Sequence, residues 1–304
     1  MMPVRLGSVR FLNTRPLIEG LEAVSSLSFQ PAVPSRLLAM LETSQVDLAL
    51  VSLIDAARSK TPLALLPAGM IGSDGQTLTV RLFSPVPAPQ VEEVWADTDS
   101  HTSVALCRLL LERVHDVRPT IRDFNAREQM PLGGAPGTPA ISAGASSPPG
   151  APGPDARPGP RTAILLIGDK VVTDPPEPAA FPVVIDLGEA WKRWTDLPFV
   201  YATWMCRAAD RDRPEISLAA GLLDRQRRHN LLRLDAIAQK HAPGAGWPID
   251  LARRYLTEHL RFEVGPRERE SAQRFIDECA ALGIIPRTTL DWLDWRQSAK
   301  AAAM

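Results

Sequence analysis

The chain has 304 residues, a formal net charge of -1 and a hydrophobic content of 45%. Its length allows two domains with separate cores, and its balanced charge gives no basis for general binding to nucleic acid or to an anionic membrane. Its start lacks the features of a secretory signal, and no apolar run approaches the roughly 18 residues of a membrane span. We expect a globular cytoplasmic protein with a small-molecule partner and no obligate protein partner.

The first third of the chain alternates strand-like and helix-like segments, which is typical of an α/β fold with a mostly parallel sheet. We predict strands over residues 4–6, 9–12, 27–31, 46–53, 63–68 and 78–83, and helices over 16–23 and 34–41.

The first strand runs into a polar turn that contains Asn13 and Thr14 and precedes Pro16. An uncharged amide and a hydroxyl at a strand end, followed by free backbone N–H groups, can hold a carboxylate. Asn and Thr before Pro are also ordinary turn residues. The pattern therefore leaves a binding turn and a plain turn both open.

A second unit begins near residue 85, with a strand over 91–96 and a helix over 104–114. Hydroxyl-bearing residues precede that helix and suit either an anion site or a plain helix cap. Residues 131–160 are rich in Pro, Gly, Ala and Ser, and this composition predicts a flexible surface insertion.

Beyond the insertion we predict strands over 162–169, 183–186 and 197–206, a helix over 189–194, and mostly helix after 216. This order indicates a discontinuous first lobe, 1–85 plus 204–304, and a second lobe, 86–203, with a cleft between them. The three cysteines, Cys107, Cys206 and Cys279, lie far apart in apolar or helical contexts, so neither a disulfide framework nor a metal site is predicted.

Several motifs together carry a family resemblance. They are Gly7 to Leu17, Pro34-Ser35, Val46-Asp47, Ser100-x-Thr-Ser103, Ile167-Gly-Asp169 and the block from Thr195 to Trp204. With these motifs in this order, the chain resembles the chorismate dehydratase family of the futalosine route to menaquinone. The resemblance implies a two-lobed α/β fold like that of type II periplasmic binding proteins. It also implies conversion of chorismate to 3-[(1-carboxyvinyl)oxy]benzoate by a hydro-lyase without a metal or organic cofactor.

The resemblance implies two catalytic residues, an Asn after the first strand and a hydroxyl residue on a strand after a Gly-containing turn. They fall on Asn13 and Thr79. The family usually has Ser at the second position, and Thr retains the hydroxyl. The segment 51–55 also departs from the Pro-Ser-x-Glu pattern of relatives, so the resemblance assigns no role to Ser52 or Asp55.

Neutral donors at a helix N-terminus suit a dianionic substrate, and we expect Ser100, Thr102 and Ser103 to bind one of its carboxylates. His101 is an alternative acid or base within the same segment.

Three further residues complete the predicted substrate site: Thr14 in the first turn, Asp169 at a strand end, and Trp204 near the lobe crossover.

Two other functions remain open at this point. The same fold more often captures a solute than transforms it, so a cytoplasmic binding protein for a small carboxylate is one alternative. The other is 1,4-dihydroxy-6-naphthoate synthase, the sister enzyme of the same pathway, although the Asn-Thr-x-Pro-Leu start fits the dehydratase better.

Overall fold

The described residues, 3–124 and 158–294 of a computed structural model, form two mixed sheets with helices packed against them. Most of the predicted insertion, residues 131–157, lies outside this described part. We call the first sheet with its helices the first lobe, and the second sheet with its helices the second lobe. The α/β class predicted from the alternating segments is confirmed.

The first sheet has six strands, in the spatial order β11-β4-β10-β3-β1-β2. Strand β1 pairs in parallel with β2 and β3, whereas β10 runs antiparallel to β3 and β4. The strands, numbered along the chain, are β1 (Val4–Ser8), β2 (Leu27–Pro31), β3 (Leu48–Ser52), β4 (Leu63–Ser73), β10 (Phe199–Arg207) and β11 (Leu260–Arg261).

The second sheet has five strands, in the order β7-β6-β8-β5-β9. Strand β6 is parallel to β7 and β8, and β5 is antiparallel to β8 and β9. These strands are β5 (Val80–Ser84), β6 (Glu93–Asp97), β7 (Thr120–Phe124), β8 (Thr162–Ile167) and β9 (Val183–Asp186).

Helices cover the sheets, and several of them begin at a proline, whose fixed φ suits the first helical turn. A π-helical turn, Tyr255–His259, follows α9. The helices are α1 (Arg15–Ile18), α2 (Pro34–Glu42), α3 (Asp55–Arg58), α4 (His101–His115), α5 (Lys170–Thr173), α6 (Leu187–Thr195), α7 (Pro214–Leu231), α8 (Leu234–His241), α9 (Ile249–Arg254) and α10 (Pro266–Ala281).

Sheet membership differs from the lobe ranges predicted from sequence. Strand β5 falls inside the predicted first lobe but pairs in the second sheet, and most of β10 falls inside the predicted second lobe but pairs in the first. The chain therefore passes between sheets through residues 74–79 and 187–198. The order of segments in the sequence does not show which sheet a strand joins, because antiparallel pairing depends on packing between residues distant in sequence. We propose these two segments as the lobe boundaries.

Two local predictions near the cleft are wrong. Residues 9–12 form a turn that ends in a short 3₁₀ helix, and the helix predicted over 16–23 ends at Ile18. Gly20 breaks it with a φ of 85°, a left-handed value that glycine adopts readily.

Candidate functional site

A cavity lies between the two lobes, with a volume of about 790 Å³ that includes space open to solvent. The polar side chains that line it come from both lobes and include Asn13, Thr77, Thr79, Ser100, Ser103, Asp169, Tyr201 and Tyr255. Sequence reasoning placed five of these in the site: Asn13, Thr79, Ser100, Ser103 and Asp169.

The turn after β1 presents Asn13 to the cavity. The neighbouring Thr14 is fully buried, and its hydroxyl lies 2.8 Å from the Phe11 carbonyl oxygen and 3.0 Å from that of Val9. These bonds fix the turn, and Thr14 does not line the cavity. Asn13 Oδ1 is buried without a hydrogen-bond partner in the described part of the chain. A buried polar atom in this state is a natural contact for a ligand.

The crossover segment between β4 and β5 carries Thr79. Leu78 has a φ of 74°, an uncommon left-handed value for a non-glycine residue. Asp186 holds this backbone by accepting hydrogen bonds from the N–H groups of Thr77 and Leu78, both at 2.8 Å. The same carboxylate caps α6. Thr79 therefore lies just before β5, rather than on a strand as predicted, and is held in place by the second lobe.

The Thr79 hydroxyl meets the phenol of Tyr255, with 2.8 Å between Oγ1 and Oη. Tyr255 stacks on Trp247, with ring centroids 4.9 Å apart and planes inclined by 24°. Burial raises the pKa of Tyr255 above its usual value of 10, and hydrogen bonding with the Thr79 and Asn13 side chains acts against that rise. The phenol is therefore neutral and able to donate at physiological pH.

Helix α4 points its N-terminus at the cavity. Ser100 is the N-cap, and its Oγ accepts from the backbone N–H of Ser103 at 3.3 Å and lies 3.0 Å from the Ser103 hydroxyl. The positive end of the helix and its free N–H groups favour an anion here. Thr102 is buried, does not line the cavity, and accepts a hydrogen bond from Ile54 N–H of the first lobe at 3.1 Å.

A buried cluster of charge lies beside α4. Lys170 Nζ is 2.5 Å from Asp97 Oδ2 and 2.6 Å from Asp99 Oδ2. Burial raises the pKa of Asp97 to about 6, although the Lys170 charge acts against this rise. The cavity lining described by the structure includes Asp99 and no Lys or Arg. A bound anion would therefore depend on neutral donors and on the helix end.

Two other predicted residues occupy different environments. Asp169 lines the cavity and accepts a hydrogen bond from the Trp247 indole at 2.9 Å, which links the second lobe to the first. Trp204 is fully buried in the first lobe and does not line the cavity. Its position on β10, inside the first sheet, accounts for that burial.

His101, the alternative acid or base, faces Asp55 instead of the cavity lining. Its Nδ1 lies 2.9 Å from Asp55 Oδ1, and this hydrogen bond raises the pKa of His101.

Sequence analysis did not assign five of the polar cavity residues to the site: Ser52, Thr77, Asp99, Tyr201 and Tyr255. The two tyrosines are the only ones in the chain, and both bond a threonine of the crossover segment. Tyr201 lies in the block from Thr195 to Trp204 that contributes to the family resemblance, whereas Tyr255 belongs to none of those motifs.

Comparisons with known proteins identify the family of this chain. A family model described as menaquinone biosynthesis matches residues 4–137 and 152–281. The chain belongs to this menaquinone biosynthesis family. One relative is a protein named chorismate dehydratase from Thermus thermophilus. It is 28% identical over 298 residues, and the alignment covers 93% of this chain and 97% of that protein.

Solved structures share the fold. An Archaeoglobus fulgidus protein matches with a TM-score of 0.63 and 13% identity, over 93% of this chain and 98% of that one. The alkanesulfonate-binding protein SsuA from Xanthomonas axonopodis pv. citri matches with a TM-score of 0.59 and 13% identity, over 96% of each chain. A Candida albicans protein described as having the generic periplasmic binding protein fold matches at 0.57 and 10% identity, over 95% and 92%. The predicted periplasmic-binding-protein-like fold is confirmed.

The described residues contain no helix long and apolar enough to cross a membrane and no group of three His, Cys, Asp or Glu side chains that could hold a metal ion.

Proposed function

We propose that this protein is a chorismate dehydratase that acts in menaquinone biosynthesis. The support is its family membership, its similarity to the Thermus thermophilus protein of that name, and a cavity between two lobes that is lined by neutral hydrogen-bonding side chains. A cytoplasmic location, as predicted from the sequence, belongs to the same proposal.

The observation that carries the proposal is the meeting of Asn13 and Thr79 in one cavity. The resemblance to the dehydratase family implies that both residues are catalytic. Asn13 belongs to the first lobe and Thr79 to the crossover segment, and both lie within reach of the Tyr255 phenol. Asn13 Oδ1 has no partner within the described residues, so this oxygen can accept a hydrogen bond from a hydroxyl of the substrate.

Chorismate carries a ring carboxylate and an enolpyruvyl carboxylate. We propose that the α4 N-terminus, through Ser100, Ser103 and nearby backbone N–H groups, binds one carboxylate, and that Asn13 and Thr79 bind the other or the reacting ring. Asp169 supports this arrangement by fixing Trp247 against Tyr255. Thr14 and Thr102 would act indirectly, by holding the Asn13 turn and the start of α4.

The reaction removes the C3 proton and the C4 hydroxyl of chorismate. The C3–H electron pair becomes the new C3–C4 double bond, the C4–O bond breaks, and the proton and hydroxide leave as water. The ring double bond conjugated to the C1 carboxylate acidifies C3–H, and aromatisation drives the step. We propose that Thr79 and Asn13 stabilise the charge that develops, while a substrate carboxylate takes the proton.

The test is to incubate the purified protein with chorismate and to follow, by mass spectrometry, a product lighter by one water. Asn13→Ala, which removes only the amide, should abolish turnover while the fold is retained. Asn230→Ala is a matched control, because Asn230 is equally an amide but donates to the Pro16 and Glu19 carbonyls away from the cavity. That variant should lose stability and keep its turnover number.

Near-normal turnover by a folded Asn13→Ala variant would remove Asn13 from the catalytic site. Chorismate that binds unchanged would indicate the small-carboxylate binding protein instead. No interaction with chorismate would favour the sister naphthoate synthase.

A further inference from the structure

Tyr255 reaches the site from the C-terminal half of the first lobe. Its side chain is buried, and its hydroxyl contacts Thr79 Oγ1. Within the described residues, Thr79 Oγ1 has no second hydrogen-bond partner. The direction of this one bond therefore decides where the Thr79 proton points.

A phenol is the stronger acid of the two hydroxyls, so the favoured arrangement has Tyr255 O–H donating to Thr79 Oγ1. The phenol oxygen can then still accept a hydrogen bond, and the Asn13 amide in the same cavity is a donor that can supply it. Thr79 then keeps its own proton for an acceptor inside the cavity. A chain of donors thus runs from Asn13 through Tyr255 to Thr79 and ends on the substrate.

The packing around Tyr255 fixes the position of its ring, and with it the position of the phenol oxygen. Trp247 stacks on the phenol ring and donates its indole N–H to Asp169 on the opposite lobe. The ring of Tyr255 is therefore held between the two lobes, and its hydroxyl has little freedom to turn away. A residue placed in this way can orient a catalytic hydroxyl without contacting the reacting atoms.

We propose that Tyr255 is a positioning residue that directs the Thr79 hydroxyl proton toward the substrate. This inference rests on the proposed dehydration of chorismate. It assigns a role to a residue in a helical segment, where no motif indicated one. It also predicts that most of the effect of Tyr255 on turnover passes through Thr79.

The test is a mutant cycle. Tyr255→Phe keeps the ring and its stack on Trp247 and removes one hydroxyl, and it should lower kcat roughly tenfold, the size expected for one neutral hydrogen bond, with KM unchanged. Introduced into Thr79→Ala, the same change should have almost no further effect. In the Thr79→Ser background, Tyr255→Phe should lower kcat by a larger factor than in the wild type. Serine lacks the β-branch that restricts χ1, so its hydroxyl depends more on Tyr255 for its orientation.

Ser271→Ala controls for the loss of a buried hydroxyl. Ser271 Oγ bonds the Pro198 carbonyl and the Trp191 indole, away from the cavity. This variant should unfold at a lower temperature than the wild type and keep its kcat.

Each outcome has one meaning. Losses that multiply in the Thr79→Ala background, or a raised KM, would show that Tyr255 contacts the substrate directly and would overturn the inference. An active wild type with near-normal Tyr255→Phe would overturn it too, and would leave the proposed function intact. A wild-type protein that forms no product from chorismate would overturn both the proposed function and this inference.

Discussion

Replacing Asp186 by alanine tests the structural core of the site, because this single carboxylate joins the crossover segment to helix α6. It accepts four backbone hydrogen bonds, from Thr77 and Leu78 at 2.8 Å each and from Gly188 and Glu189 at 3.1 and 3.2 Å. The loss of a helix N-cap costs about 1 kcal/mol. Two buried N–H donors left without a charged acceptor add roughly 1–3 kcal/mol each before water compensates.

We therefore expect Asp186→Ala to lower the free energy of unfolding by about 3–5 kcal/mol. Urea denaturation at neutral pH measures this loss. Asp186→Asn retains one acceptor oxygen, so its free energy of unfolding should lie between those of the wild type and Asp186→Ala. A loss below about 1 kcal/mol, the value of one neutral hydrogen bond, would show that the carboxylate does not hold the crossover.

Two further predictions concern the same junction and the neighbouring helix. A Cβ at Gly188 would lie 2.0 Å from Thr77 Oγ1. Gly188→Ala should therefore displace the crossover segment, lower the unfolding temperature and reduce turnover. A fully stable and active variant would contradict this packing. The Asp55 hydrogen bond raises the pKa of His101 above 6.5. The pair should therefore stabilise the fold fully below about pH 6.5, and this contribution should be lost as the pH rises through the raised pKa of His101. Asp55→Asn should lower the pKa of His101 in an NMR titration, and an unchanged titration would refute the assignment.

Local patterns predicted most of the strands and the start of α4, but not β7 or β11. The apolar runs of β3 and β8 are buried along nearly their whole length, and the hydroxyl-rich segment before α4 does form its N-terminus at the cavity. Such features depend on residues close in sequence. Composition and spacing therefore carry enough information to predict them.

The lobe boundaries and the second half of the site depend on distant contacts instead. Strand β5 follows the first sheet in sequence but pairs with β8 and β9, and Tyr255 reaches Thr79 across 176 positions of the chain. No local pattern encodes such pairs. Trp204 shows the reverse case, since its position near the crossover suggested a site residue, yet its strand is central in the first sheet and its side chain is buried.

The central claim is the elimination of water from chorismate, and chorismate carrying deuterium at C3 tests it most directly. The account predicts a product that has lost one HDO, because the C3–H and C4–O bonds are the two that break. Mass spectrometry of the reaction in ordinary water measures this loss. An unchanged chorismate pool, or a product that keeps the deuterium, would contradict the account.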